Sequence, residues 1–370
     1  MSKSEYLKIL HVEGGRNLYG GALQVSYLIR GLNRKKISNV LVCCLDSDLS
    51  KISEPYSKVI KLRMLGDFDI LLLFKLITII RKEKPDIVHL HSRRIAEIIG
   101  GLSAFLSGVP SILTRRVDNR ETWIIGKFKY RLYDHVVTIS DAIKNILISQ
   151  GVKKSRLTCV KSGVDVDLFY NRVDKNQFRK NYGFNSDTVL VGMIAQFIPR
   201  KGHLLFLEAL SELKSKYDNL HALLYGKGPD VYKIRRFVAK CKLQEQVHFM
   251  GFRNDLHYHL SGLDFIVHPA EMEGLGVSLL QASASEVPII GSRVGGIQEA
   301  VINKYNGLLI NVGDKESFKQ AIENLVIDVN FRKELGFNGR IHVKKKFSIK
   351  KMVDGYLDVY CRLMKSRQSS

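Results

Sequence analysis

The sequence predicts an α/β protein of two doubly wound domains, each a parallel sheet with crossover helices, and three observations carry that expectation. Short apolar, strand-like runs alternate with amphipathic helical stretches along nearly the whole chain. Glycine turns stand where strands hand over to helices, at Gly20-Gly21, Gly274-Leu275-Gly276 and Gly295-Gly296. At 370 residues the chain is too long for one compact core and suits two domains of ~150 to 200 residues, which 45% hydrophobic residues can fill.

In order, residues 7–12 read as the first strand, Gly20-Gly21 opens a helix to about Leu32, and 40–45 is the next strand. A helix over 69–82 is broken by Pro85-Asp86, which leads into the strand Ile87-Val88-His89-Leu90-His91. A helix over 95–106, a strand over 111–114 and a strand over 135–139 follow, and Ser140-Asp141 caps a helix to Ser149. Residues 157–160 close the first domain, expected over 1–170, and 171–186 lose the pattern and read as a linker. The second domain, 187–345, repeats the scheme with strands over 189–194, 221–225, 247–250, 265–268 and 288–290. Its helices are read over 202–216, 231–241, 277–283 and 317–326, and 346–370 holds a terminal amphipathic helix, 349–364.

Composition narrows the function classes. Five scattered cysteines without a CxxC pair indicate neither a zinc site nor a disulfide framework, and a reducing compartment fits. Charges in the first residues leave no apolar core for a secretion signal, and the apolar run 68–80 is interrupted by Lys75 and too short to span a bilayer. The expected location is the cytoplasm, with peripheral attachment to the inner membrane face. A net charge of +22 calls for a polyanionic partner, but the basic residues are spread, 28 Lys and Arg against 16 Asp and Glu in residues 1–170 and 30 against 20 beyond. No basic arm and no aromatic-interleaved repeat argue for a nucleic-acid partner, so an anionic membrane surface ranks first, with a solvated basic surface as the alternative.

The most informative segment is residues 269–300, PAEMEGLGVSLLQASASEVPIIGSRVGGIQEA. Glu273 precedes a turn whose glycines leave the N–H groups of Leu275, Gly276 and Val277 bare at a helix start, where partial positive charge favours a phosphate. The string resembles the donor-binding segment of the retaining glycosyltransferases of family 4, where a Glu is followed after seven residues by a second Glu; here Glu273 is followed at that spacing by Gln281. The resemblance extends over Gly20-Gly21-Ala22, residues 86–91, 137–141, 163–165, 199–203, 226–229 and 249–255.

The resemblance implies the GT-B fold: two Rossmann-like domains facing a cleft, with the C-terminal helix returning to the first. It implies retaining transfer of a sugar from a nucleotide-diphosphate sugar to a lipid-linked or saccharide acceptor in bacterial surface polysaccharide, lipopolysaccharide or glycolipid synthesis, with no cofactor and no metal. Lys201 and Arg200 would face the diphosphate, with Gln196 where relatives carry an Arg; Gly20 and Gly21 would approach the diphosphate or acceptor. Glu273 would hold the transferred sugar with His91, for which His89 competes, and Gln281 the ribose. Phe252 and Arg253 would flank the nucleobase beside Gly226 and Gly228, and Arg115 and Arg116 would face the acceptor. Lys201, Glu273 and His91 are the expected catalytic residues. A non-catalytic sugar-nucleotide or glycan-binding relative is the alternative, motivated by Gln196 and Gln281. An Asp46-Ser47-Asp48 triplet resembles a metal motif but stands far in sequence from the donor motifs.

Overall fold

The computed structural model describes residues 7–64, 69–91, 96–170 and 174–368. The extreme N-terminus, Phe68, Ile95 and linker residues 171–173 lie outside them. The chain forms two compact units, one built from Met1–Gly163 and Ile349–Ser370, the other from Val164–Ser348.

The first unit holds β1 (Lys8–Glu13), β2 (Ser38–Cys44), β3 (Lys58–Leu62), β4 (Ile87–His91), β5 (Ser111–Arg115), β6 (His135–Thr138) and β7 (Leu157–Cys159). They make one parallel sheet in the order β3-β2-β1-β4-β5-β6-β7. Central strands such as β4 are buried along their whole length because helices cover both faces. On one face Leu10, Val12, Val88 and Leu90 pack with Leu72, Leu76 and Ile80 of the helix Ile70–Glu83. On the other, Ile9, Ile87, Ile112 and Val137 pack with Leu28 of the helix Gly20–Arg34 and with Met352, Val353, Tyr356 and Tyr360 of the terminal helix Ile349–Gln368. Gly31 makes that crossing close, since a Cβ there would overlap the Val353 side chain.

The second unit holds β8 (Val189–Ile194), β9 (Leu220–Tyr225), β10 (Val247–Gly251), β11 (Phe265–His268), β12 (Ile289–Ser292) and β13 (Gly307–Ile310), in the order β10-β9-β8-β11-β12-β13. In the segment expected as a linker, the helix Lys175–Asn181 brings Phe178 fully into this unit, and Arg179 donates to Asp264 Oδ2 at 2.8 Å.

Among the elements not read from the sequence, two strands and a helix show why. β3 is an edge strand whose lysines face solvent, so its alternation looks like a polar loop. β13 is four residues long and begins with a glycine. The helix Val329–Lys346 contains Gly336 and Gly339, which read as breakers but let it approach the helix Val277–Ala284.

Candidate active site

In the second unit the strand order reverses between β8 and β11, where open α/β sheets leave a crevice beyond the carboxyl ends of the strands. The connections leaving these two strands are bonded to each other, the Glu271 N–H donating to the Arg200 carbonyl at 2.9 Å. Gly202, at φ 76°, lies so close to the Pro269 carbonyl that no Cβ would fit. That approach brings Lys201 Nζ to 2.6 Å from Glu273 Oε2. His268 Nε2, at the end of β11, lies 2.9 Å from the same oxygen. Burial alone would raise the Glu273 carboxyl, but the His268 bond and the Lys201 ammonium outweigh it and hold the group well below the usual carboxylate range. At neutral pH the cluster therefore presents an ionised acceptor beside a fixed cation.

The helix Val277–Ala284 starts next to this cluster. Its N-cap, Gly276, sits at φ 80° and offers no side-chain cap to the first-turn N–H groups. Ser278 Oγ donates to the Ile194 carbonyl at 3.3 Å, which seats that first turn at the end of β8. The positive end of a helix dipole thus lies in the same loop system as Lys201, an arrangement suited to a phosphate or to negative charge that develops during a reaction. The side chain of Leu275 is core, 1% exposed, so what it can offer a ligand is backbone. The second glycine turn packs on the first: the Gly296 N–H donates to the Glu273 carbonyl at 3.0 Å, and a Cβ on Gly296 would overlap the Gly274 carbonyl.

The other expected residues of this unit stand at the same strand ends. Gly226, at φ 136°, packs on the Ala195 carbonyl beside the exposed Gln196, and Gly228 packs on the Phe197 backbone. The Gly226 N–H donates to the Gly251 carbonyl at 2.8 Å, joining this turn to the end of β10. Phe252 follows, 36% exposed, with Lys227 Nζ 5.5 Å from its ring centroid, and Arg253 has a buried Nε without a partner among the described residues. Gln281 is buried on the helix that begins at Val277.

In the first unit the corresponding reversal falls between β1 and β4, and three imidazoles meet there. His91 Nε2 lies 3.1 Å from His11 Nδ1, and His11 Nε2 lies 3.2 Å from Asn39 Oδ1. His89 is held on both nitrogens, by Tyr360 Oη and Thr114 Oγ1, each at 2.7 Å. His91 Nδ1 is buried and has no partner among the described residues. Burial brings the His11 imidazole down to about 4 and holds His89 and His91 well below the ordinary histidine value, so all three are neutral at pH 7. Ring nitrogens of the three lie within 4.8 Å of one another, but His89 would have to give up a hydroxyl partner to share a cation. In the Asp46–Asp48 triplet, Asp48 Oδ2 accepts from the Leu18 N–H at 3.4 Å.

Gly20 and Gly21 begin the helix Gly20–Arg34. Arg116 lies against this turn, since a Cβ on Gly21 would come 3.5 Å from Arg116 Cδ, and its buried Nε and Nη2 have no partner among the described residues. Arg115 is a correction to the sequence reading. Successive strand residues point to opposite faces, and while Thr114 meets His89, Arg115 turns the other way. There it is 3% exposed and donates to Glu121 Oε1 at 2.9 Å and to Asn119, beside the Lys129 pairs with Glu97 and Glu121. Its Nη1 and Nη2 groups are paired inside the fold, and its buried Nε has no partner among the described residues.

Sequence reasoning missed His268, His11 and Asn39. His268 and His11 sit inside apolar strands, where pattern reads them as strand residues. His203, 2% exposed with neither nitrogen partnered among the described residues, was passed over as the end of a motif.

The family described as Glycosyl transferases group 1 matches residues 174–342, and that described as Glycosyltransferase Family 4 matches residues 19–168. An uncharacterized glycosyltransferase of Methanocaldococcus jannaschii is 30% identical over 291 residues, 76% of this chain and 77% of that protein. The UDP-Gal:alpha-D-GlcNAc-diphosphoundecaprenol alpha-1,3-galactosyltransferase of Escherichia coli is 25% identical over 304 residues, 78% of each chain. The crystal structure of Anabaena HepE in complex with UDP and glucose superposes with a TM-score of 0.84 at 18% identity, covering 95% of this chain and 99% of that one, which shows a shared fold.

Proposed function

The chain belongs to the glycosyl transferases group 1 family and is a glycosyltransferase, and from that premise we propose that it moves a sugar, with retention, from a nucleoside-diphosphate donor to a lipid-linked or saccharide acceptor. The observation that carries the reading is the ionised Glu273 bonded to Lys201 and His268, beside an uncapped helix start at Gly276. In this reading the helix start, Lys201 and Arg200 bind the diphosphate and stabilise the charge that grows on it as the anomeric carbon–oxygen bond breaks. Glu273 accepts hydrogen bonds from the sugar hydroxyls, Gln281 contacts the ribose, and Phe252, Arg253, Gly226 and Gly228 border the base. Gly20, Gly21 and His91 contact the donor, and Arg116, rather than Arg115 with its Nη groups bonded to Glu121 and Asn119, takes the acceptor role. The acceptor oxygen bonds to the anomeric carbon on the face the phosphate leaves, and its proton passes to the departing phosphate oxygen. Fixed cations take the part a metal plays elsewhere.

The test is nucleoside-diphosphate release from UDP-, GDP- and ADP-sugars, with acceptor-lipid extract and chelator present. One donor is expected to turn over, and Glu273→Gln to slow it about 100-fold, the scale of one lost transition-state hydrogen bond. Turnover only without chelator overturns metal independence. No turnover, together with no nucleotide binding in a direct titration, overturns the reading.

The lipid-linked acceptor is supported by the Escherichia coli relative, named for a diphosphoundecaprenol-linked substrate, and by one surface. Among the described residues no helix is long and apolar enough to cross a membrane. The helix Ile70–Glu83 buries Leu72, Leu76 and Ile80 but exposes Ile70 (68%), Leu71 (66%) and Phe74 (61%) beside Lys75. We assign this apolar and basic face to the inner membrane surface. Co-sedimentation with anionic liposomes is expected and should fall with Phe74→Ser; binding indifferent to lipid charge refutes the assignment.

A further inference from the structure

We propose that Asn39 and His11 fix the tautomer of His91, so that its Nδ1 is a bare acceptor for a ligand hydroxyl. The order of donors can be followed from one end. Asn39 Nδ2 donates to the Ile37 carbonyl at 3.0 Å and faces the Ile29 carbonyl at 3.5 Å, which orients the amide with Oδ1 toward His11. An amide oxygen only accepts, so His11 carries its proton on Nε2. A neutral imidazole has one N–H, which leaves His11 Nδ1 with a lone pair. Facing it at 3.1 Å, His91 Nε2 must be the donor. The two rings lie 19° apart in plane with centroids at 5.4 Å, the geometry of an edge-on bond between nearly coplanar rings. His91 then has its lone pair on Nδ1, the nitrogen without a partner among the described residues.

A buried acceptor with nothing to accept is an arrangement proteins avoid unless something else completes it. Arg116, whose charge acts on both His89 and His91 and whose Nε and Nη2 have no partner among the described residues, supplies donors in the same region. A hydroxyl can donate to an imidazole lone pair and accept from a guanidinium at once. Sugar hydroxyls have that dual character, and to this extent the inference rests on the proposed function. Asn39 and His11 act through His91 and are positioning residues.

The test separates the relay from the reaction. Ring-nitrogen NMR on the full chain with 15N-labelled histidine, assigned by loss of signal in His91→Gln, reads the tautomer directly. The native chain is expected to show His91 protonated at Nε2. Asn39→Asp places a carboxylate beside His11 Nε2 and favours its imidazolium, which then donates from Nδ1 and forces the His91 proton onto Nδ1. That variant is expected to raise the donor KM about tenfold, the size of one lost hydrogen bond. A native His91 protonated at Nδ1 overturns the relay, whether or not the variant folds. A flipped tautomer in Asn39→Asp with an unchanged donor KM overturns the ligand role. The expected native tautomer in a chain that turns over no donor supports the relay while defeating the proposed reaction.

Discussion

At Gly276 the backbone holds φ 80°, and a Cβ there would come 2.8 Å from Leu279 Cδ1. Gly276→Ala therefore forces a left-handed L-residue, at about 1–2 kcal/mol, and crowds Leu279 in the first turn of the helix Val277–Ala284. Thermal unfolding should shift down and nucleotide titration should weaken together; an unchanged midpoint would show that the turn is already relaxed. Gln281→Glu restores the carboxylate that the family pattern carries. A charge-assisted bond exceeds a neutral one by about 1 kcal/mol, so the donor KM is expected to fall about fivefold. A rise would mean that burial at this position, 8% exposed, costs more than the ribose contact returns. The residues legible in the sequence are those whose job is backbone geometry or an obvious charge at a strand end: Gly276, Gly202, Lys201 and Glu273. His268, which bonds Glu273, and His11, which faces His91, were not legible, because they lie in strands and find their partners only through the fold. Arg115 and Arg116, adjacent and alike in sequence, are separated by strand alternation, one consumed by Glu121 and the other against the Gly21 turn.

At the scale of elements, the helix Val329–Lys346 offers a paired test. A Cβ at Gly336 would overlap the Glu286 carbonyl, whereas one at Gly339 would sit 3.5 Å from Ser283, ordinary contact. Gly336→Ala is expected to destabilise the second unit by about 1–3 kcal/mol. Gly339→Ala should leave its urea midpoint unchanged or raised by the helix propensity gained. Equal effects would refute the close approach. The same glycines explain why this helix was not read from sequence, since they break the pattern that packing then overrides. β1 and β4 carry a second prediction. The His11 imidazole titrates near 4 when folded against 6.5 in the unfolded chain, and His89 and His91 are displaced in the same direction. Between those values the unfolded chain binds protons the folded one refuses, so stability is full above about 6.5 and is lost as pH falls toward 4. Both strands belong to the first unit, which is the part affected. Its urea midpoint should drop between pH 7.5 and 5, and a flat profile would mean that the imidazoles are charged in the folded state.

At the scale of the whole molecule, the chain leaves its first unit at Gly163, completes the second, and returns at Ile349. The returning helix is structural for the first unit. Met352, Val353, Tyr356, Val359 and Tyr360 are all at most 3% exposed, and the two tyrosines reach Thr114 Oγ1 at 3.0 Å and His89 Nδ1 at 2.7 Å. Deleting residues 349–370 strips five side chains from a core, about 2 kcal/mol each and about 10 kcal/mol together, the size of a domain's entire stability. It also leaves His89 one hydroxyl short at the strand that carries His91. The second unit has no such debt, because the Val164 N–H donates to the Phe347 carbonyl at 2.8 Å and so closes its own ends. A chain of residues 164–348 is therefore expected to unfold cooperatively in urea by itself. Residues 1–163 should show a broad transition that sharpens when a peptide of residues 349–368 is added. A sharp transition for 1–163 alone would make the returning helix a surface ornament. Failure of 164–348 to fold would make the second unit depend on the first, and either result would refute this division of labour.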